Sequence, residues 1–286
     1  METMRDIKRR ISSVENTQKI TRAMKMVASA KLRKAQEKAE RSRPFYRRTR
    51  RILGSIVSNA TDVQDHPLLS SHGGDKHLYI VVSADRGLCG AYNNRVIERT
   101  EESISGTGDA CLVTLGKNAR DYFRRGSYDV ASEYVDIADY PDLDFAREIS
   151  SEIISLYTEK KVDRVSIIYT HFNSAISQEV KRVELLPVSP PEELEGELEN
   201  PVDYIFEPSP VEILDILLPR YVHNLIYTFL LESKASEFGA RMTAMDSATD
   251  NAGEIIEELT LSYNRARQSQ ITREITEIVG GAEALK

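Results

Sequence analysis

Residues 238–270, Phe238-Gly-Ala-Arg-Met242-Thr-Ala-Met245-Asp-Ser-Ala-Thr249-Asp-Asn-Ala252-Gly-Glu-Ile-Ile256-Glu-Glu-Leu259-Thr-Leu-Ser-Tyr263-Asn-Arg-Ala266-Arg-Gln-Ser-Gln270, decide the fold. Alternating steps of four and three from Phe238 pick out Met242, Met245, Thr249, Ala252, Ile256, Leu259, Tyr263, Ala266 and Gln270. Eight of these ten are apolar or aromatic, the pattern of a left-handed coiled-coil seam. No proline follows Pro219, so the remaining 67 residues read as one helix, about 100 Å long at 1.5 Å per residue. A compact body has no use for such a length, and the helix must leave it and pack against something else. Upstream, Ser209-Pro210-Val211-Glu212 is a helix start: Ser209 caps, Pro210 suits the first turn, and Glu212 reaches back.

A second helix is expected from Thr3 to about Ser58. Its apolar and small residues recur at Ile7, Ile11, Val14, Ile20, Met24, Val27, Ala28, Leu32, Ala35 and Ala39. Pro44 should kink or locally break it, since proline lacks the amide donor and crowds the preceding turn. The stripe is narrow and rich in small residues, which suits a close helical neighbour. The C-terminal helix, running antiparallel, is the natural one.

Between the helices the pattern changes. After a loop-like stretch with His66-Pro67 and Gly73-Gly74, residues 77–84 and 110–115 read as buried strands, followed by helices at 92–105 and 117–125. A longer helix, Phe145 to Lys161, leads into a strand at 164–171, and Gln178 to Val188 adds a last, antiparallel strand. Strand and helix in alternation argue for a small α/β domain with a mostly parallel sheet. Residues 187–208 are an acidic, proline-rich connection carrying the apolar piece Tyr204-Ile205-Phe206. The domains expected are thus a coiled-coil helix over 1–58, an α/β domain over 59–208, and a second coiled-coil helix over 209–286.

Composition narrows the function. The formal net charge of −7 hides a segregation: residues 1–52 hold 17 Lys+Arg against 5 Asp+Glu, a balance of +12, while the rest holds 21 against 40, a balance of −19. An acidic partner for the basic end is expected. No signal peptide and no membrane-spanning run stand out. Cys89 and Cys111 have no metal or redox spacing and read as reduced thiols, and five scattered histidines make no metal motif. No cofactor is expected.

The most chemical-looking motif is Ser83-Ala-Asp-Arg-Gly-Leu-Cys-Gly-Ala-Tyr-Asn93, a glycine-bearing turn between strand and helix, where phosphates often bind. Gly87 and Gly90 make neither the dinucleotide fingerprint nor a triphosphate loop. Asp85 has no carboxylate or histidine beside it to form an acid–base pair, and only Arg86 and the helix start favour a Cys89 thiolate. A tight turn capping the sheet is the favoured reading; a small α/β nucleotide-binding protein is the alternative. The basic first helix raises another, a nucleic-acid-binding coiled coil, although no aromatic residue before Phe45 offers a stacking platform. Arg241, Gln268 and Thr272 lie near the seam, either as ordinary exposed positions or reaching out to a surrounding protein.

Three segments together are distinctive: Ile7 to Lys31, the turn from Ser83 to Asn93, and Ala240 to Asn251, with the ending Tyr263 to Val279. They resemble the gamma subunit of bacterial F-type ATP synthase from end to end. The fold class this implies is α/β, with a long antiparallel coiled coil of N- and C-terminal helices plus a small Rossmann-like domain. The resemblance also implies a non-catalytic rotor shaft inside a ring of three alpha and three beta subunits. Beside it would sit the epsilon subunit and the membrane c-ring, with one shaft per complex at the cytoplasmic side of the cell membrane. By position, Met24 and Lys25 match the family's contact with the acidic lever of beta. Arg241, Gln268 and Thr272 match its catch to beta, and Tyr204 and Glu207 its foot on the c-ring.

Overall fold

The computed structural model describes residues 3–59, 66–189, 207 and 209–283. In chain order the elements are α1 (Met4–Asn59), β1 (Lys76–Val82), α2 (Tyr92–Ser105), β2 (Asp109–Leu115), α3 (Lys117–Arg125), β3 (Asp129–Tyr134), α4 (Leu143–Thr158), β4 (Arg164–Ser174), β5 (Ser177–Leu186) and α5 (Pro210–Glu283). The chain divides into two compact units, residues 29–241 and residues 1–28 with 242–286.

The larger unit is built on a five-stranded sheet of order β3-β2-β1-β4-β5. Four strands run parallel, and β5 closes one edge antiparallel to β4. Because successive side chains of a strand point to opposite faces, β1 feeds two cores. Leu78, Ile80 and Val82 join Ile149, Ile153 and Tyr157 of α4, Leu53 and Ile56 of α1, and Leu214, Leu218, Val222 and Ile226 of α5. Tyr79 and Val81 face the other way, against Val96 and Ile97 of α2 and Ala119 and Phe123 of α3. A strand covered on both faces carries no polar alternation, which is why β1 reads as an unbroken apolar run.

The edge strand β3 has no counterpart in the sequence reading. Its residues alternate between exposed and half-buried, and its exposed positions include Asp129 and Glu133. Lying at the sheet edge, it buries little, so its apolar signal is faint.

In the smaller unit, Thr21 Oγ1 meets Thr249 Oγ1 at 2.8 Å and Lys25 Nζ meets Asp246 Oδ1 at 2.5 Å. Position rises along α1 as it falls along α5, so the helices are antiparallel, with facing numbers that add to 270 or 271. The α5 side of the seam follows the expected four–three count: Met245, Thr249, Ala252 and Leu259 are buried, and Met242, Ile256, Tyr263 and Ala266 are half-buried.

The α1 side requires a correction. Ile20 and Val27 are 60% and 55% exposed, and the stripe that is buried or half-buried passes instead through Ile7, Ile11, Val14, Gln18, Thr21, Lys25 and Ala28. These positions keep the four–three count, but three of them are polar. At Pro44, where a kink or a local break is expected, α1 continues without a break. A proline there leaves the Glu40 carbonyl without its helical donor, at a residue that is exposed. At the start of α5, Glu212 donates its amide to Ser209 Oγ at 3.3 Å, and the same hydroxyl donates to the Glu212 carboxylate at 3.0 Å.

Where β2 turns into α3, Gly116 has φ +94°, and a Cβ there would lie 2.4 Å from the Ser83 carbonyl oxygen. Gly116→Ala is expected to destabilise the chain by about 2–4 kcal/mol, combining backbone strain with a clash against main chain. Gly87 has open space around its Cβ direction and no such φ. Gly87→Ala should therefore shift the urea midpoint little, and equal effects at the two glycines would refute this account.

Candidate functional site: the strand-end turn and the uncovered helix surface

The turn from Ser83 to Asn93 sits at the carboxyl end of β1, the usual place for a ligand in an open α/β sheet. Its polar groups are already engaged. Asp85 accepts backbone N–H groups from Lys117 (3.1 Å), Asp136 (3.0 Å) and Ile137 (2.8 Å), so its carboxylate ties α3 to the segment after β3. Ser83 Oγ accepts from the Ala119 amide at 2.9 Å and donates to the Leu115 carbonyl at 3.0 Å. The Asn93 side chain accepts from the Ala84 amide at 2.9 Å. The α3 N-terminus is thus filled by the chain's own oxygens, which leaves no cradle for a phosphate.

Cys89 is 1% exposed, and burial raises its thiol pKa against the smaller opposing pull of Arg241. Cys111 is pushed further, to about 11, by burial and then by Asp129. Both thiols are free. A raised pKa is the opposite of what a nucleophile needs.

Beneath this turn lies an ion cluster that sequence reasoning missed. Glu237, 5% exposed, accepts from Lys234 Nζ at 3.1 Å and from Arg241 Nη1 at 2.7 Å. The other Arg241 nitrogen donates to the carbonyls of Arg86 (3.3 Å) and Gly87 (3.2 Å). Arg241 therefore clamps the turn onto α5. The available signal was three charges at i, i+3 and i+7, on a helix face they share with Phe238.

The expected contact residues fall in three settings. Met24 and Lys25 are half-buried, Lys25 in its ion pair with Asp246. Arg241 is half-buried in the clamp. Gln268 and Thr272 are exposed, with the Thr272 hydroxyl donating to the Gln268 carbonyl. Glu207 is exposed, and Tyr204 lies outside the described residues.

The helical unit leaves much apolar surface bare. Continuing the antiparallel register, Met4 falls opposite residue 266 or 267, where α1 ends. Every described α5 residue from Arg267 to Ala282 is exposed, among them Ile271, Ile275, Ile278 (71%) and Val279 (61%). On α1, Ile20, Met26 and Val27 are each more than half exposed. Apolar surface of this extent marks an interaction site. Among the described residues no helix is long and apolar enough to cross a membrane, and no metal-holding cluster occurs.

The fold is shared with solved structures. The central stalk and c-ring structure of the Tetrahymena thermophila mitochondrial ATP synthase contains a chain 25% identical to this one. That match covers 80% of this chain and 99% of the other, with a TM-score of 0.63. A Euglena gracilis mitochondrial ATP synthase chain at 18% identity gives a TM-score of 0.70 over 99% of this chain and 94% of its own, which shows the shared fold. The class is that of rotary ATP synthase central-stalk subunits.

The sequence comparisons are more specific. A family profile described as ATP synthase matches residues 3–285. The ATP synthase gamma chains of Halothermothrix orenii and Heliobacterium modesticaldum are 56% and 49% identical, each over 100% of both chains. The chain belongs to the ATP synthase gamma-chain family, the non-catalytic stalk subunits of that complex.

Two outcomes check the closed turn. Removing Glu237 leaves the buried Lys234 and the half-buried Arg241 without their shared carboxylate, so Glu237→Ala should cost about 3 kcal/mol in urea unfolding of the full chain. In the native chain at pH 8 a thiol of pKa near 11 is thiolate in roughly one molecule per thousand. Iodoacetamide should therefore label Cys111 and Cys89 slowly until urea unfolds the chain; rapid native labelling would contradict the burial described.

Proposed function

We propose that this chain, a central-stalk rotor subunit of ATP synthase by family, transmits torque between a membrane ion-driven c-ring and the catalytic ring of three alpha and three beta subunits. One copy would serve each complex, with the epsilon subunit beside it, at the cytoplasmic side of the cell membrane and held there only through the complex. The observation that carries this reading is the uncovered end of α5 from Arg267 to Ala282, apolar in part and, among the described residues, without a helical partner. A lone amphipathic helix in water is marginal, and a surrounding protein sleeve supplies what α1 no longer can.

The mechanism follows from differential contact. A shaft drives a change in beta only by binding its open and closed forms unequally, because equal affinity shifts no equilibrium. An asymmetric rod meets each beta subunit with a different face as it turns. Met24 and Lys25 would face the acidic lever of beta, a setting that suits the +12 balance of residues 1–52. Gln268 and Thr272, exposed beyond the end of α1, would hydrogen-bond the catch on beta. Arg241 would join them with whatever donor capacity its clamp on the turn leaves free. Tyr204 and Glu207 would rest on the c-ring.

Co-expression with alpha and beta chains tests the assignment: one copy retained per hexamer and ATP-driven rotation are expected, and a hexamer that excludes the chain overturns it. Met24→Lys adds a positive charge facing the acidic lever and should lower ATP synthesis severalfold at a given ATPase rate. An unchanged ratio would remove Met24 from that contact.

A further inference from the structure

At the amino ends of β1 and β4, opposite to the closed turn, Asp75, His77, Arg99, Glu102, Ser103, Gly106, Thr107, Arg164 and Arg182 line a cleft of about 280 Å³. The gamma-chain function described above uses none of these groups.

We infer that this cleft is a phosphate-group site, its anion held between the guanidinium groups of Arg164 and Arg182. Arg99 is already neutralised by Glu102 at 2.9 Å. Among the described residues, neither Arg164 nor Arg182 has a carboxylate in an ion pair, although Asp75 shares the cleft. Arg182 is set in place rather than free to wander: its guanidinium lies over the Tyr79 ring at 5.2 Å, and its Nε points at Ser166 Oγ, 3.4 Å away. A planar fork held this way suits a tetrahedral oxyanion.

The C-terminus of α2, which also borders the cleft, would ordinarily repel an anion. Here the Ser103 carbonyl is occupied by the Tyr79 hydroxyl (3.1 Å) and the Thr107 hydroxyl (3.0 Å), and the Ile104 carbonyl by the Thr107 amide (2.9 Å). Gly106 offers no side chain to block approach. The volume is just below that of a typical drug-sized pocket and suits phosphate, pyrophosphate or a lipid phosphate headgroup.

His77 is the built-in reporter. It stacks on Tyr79 at 4.3 Å and shares a 2.9 Å hydrogen bond with Ser166 Oγ. Burial, then Arg182 and Arg164, hold its pKa down to about 4, with Asp75 opposing. An anion seated between the two arginines would offset their charge and raise that pKa.

The test follows the His77 ring resonances of the full chain by NMR while pyrophosphate is titrated. Saturable shifts and a raised His77 pKa are expected, with affinity falling at least about tenfold in Arg164→Gln plus Arg182→Gln, as loss of two charge-assisted contacts implies. Arg95→Gln, outside the cleft, should change nothing. A parallel arm uses vesicles of phosphatidylglycerol against phosphatidylcholine: vesicle binding that needs Arg164 and Arg182, without a pyrophosphate response, assigns the phosphate to a lipid headgroup. An adventitious, non-saturating response to pyrophosphate with no vesicle binding, or binding indifferent to the double substitution in a chain that melts like the parent, overturns the inference.

Discussion

Two helices can lie side by side for many turns only if each keeps returning small or apolar residues to the same line, and that constraint governs this chain. The four–three count holds along both terminal helices. Small residues on it, Ala28, Ala35 and Ala39 of α1 and Ala252 of α5, are buried almost completely and keep the seam narrow. Within the paired portion of the smaller unit, the polar residues on that line find one another: Thr21 with Thr249, Gln18 with the Thr249 carbonyl at 3.3 Å, and Lys25 with Asp246. Lys25 and Asp246 are partly exposed, so their ion pair adds little stability, about 0–1 kcal/mol. Its value lies in register, because sliding either helix by a heptad would bury these groups without partners.

The α/β unit shows the complementary economy. Its carboxyl-end turn, which in many sheets of this kind receives a ligand, is closed by Asp85, Ser83 and Asn93 and fastened by Arg241 to α5. Charges there are spent on the chain itself: Glu237 sits between Lys234 and Arg241 with almost no contact with water. A buried triad of this type is weak evidence of added stability, but losing one member is costly, and it fixes where the turn meets the helix.

Much of this was legible in the sequence. The strands and helices from His77 to Arg125 follow from apolar runs and glycine-bearing turns, and α2 and α3 begin and end where the reading put them. What failed did so for physical reasons. Following apolar side chains along α1 led to Ile20 and Val27, yet the seam is set by spacing, and counting from Ile7 leads through Gln18, Thr21 and Lys25. The bare apolar residues are the ones left for something outside the chain. Strand β3 escaped because an edge strand need not be apolar. The Glu237 cluster escaped because its local signal, charges at i, i+3 and i+7, is equally that of a solvated helix face, and burial is a tertiary fact. Gln270, last in the sequence count, is exposed and lies beyond the α5 residues that Met4 faces.

The handedness of the helical pair has a consequence of its own. A seven-residue repeat winds two right-handed helices into a left-handed rope. Twisting such a rope one way tightens its strands onto each other, and twisting it the other way pries them apart. Synthesis and hydrolysis load the shaft in opposite senses, so the same spindle is a stiffer spring in one direction of travel than in the other.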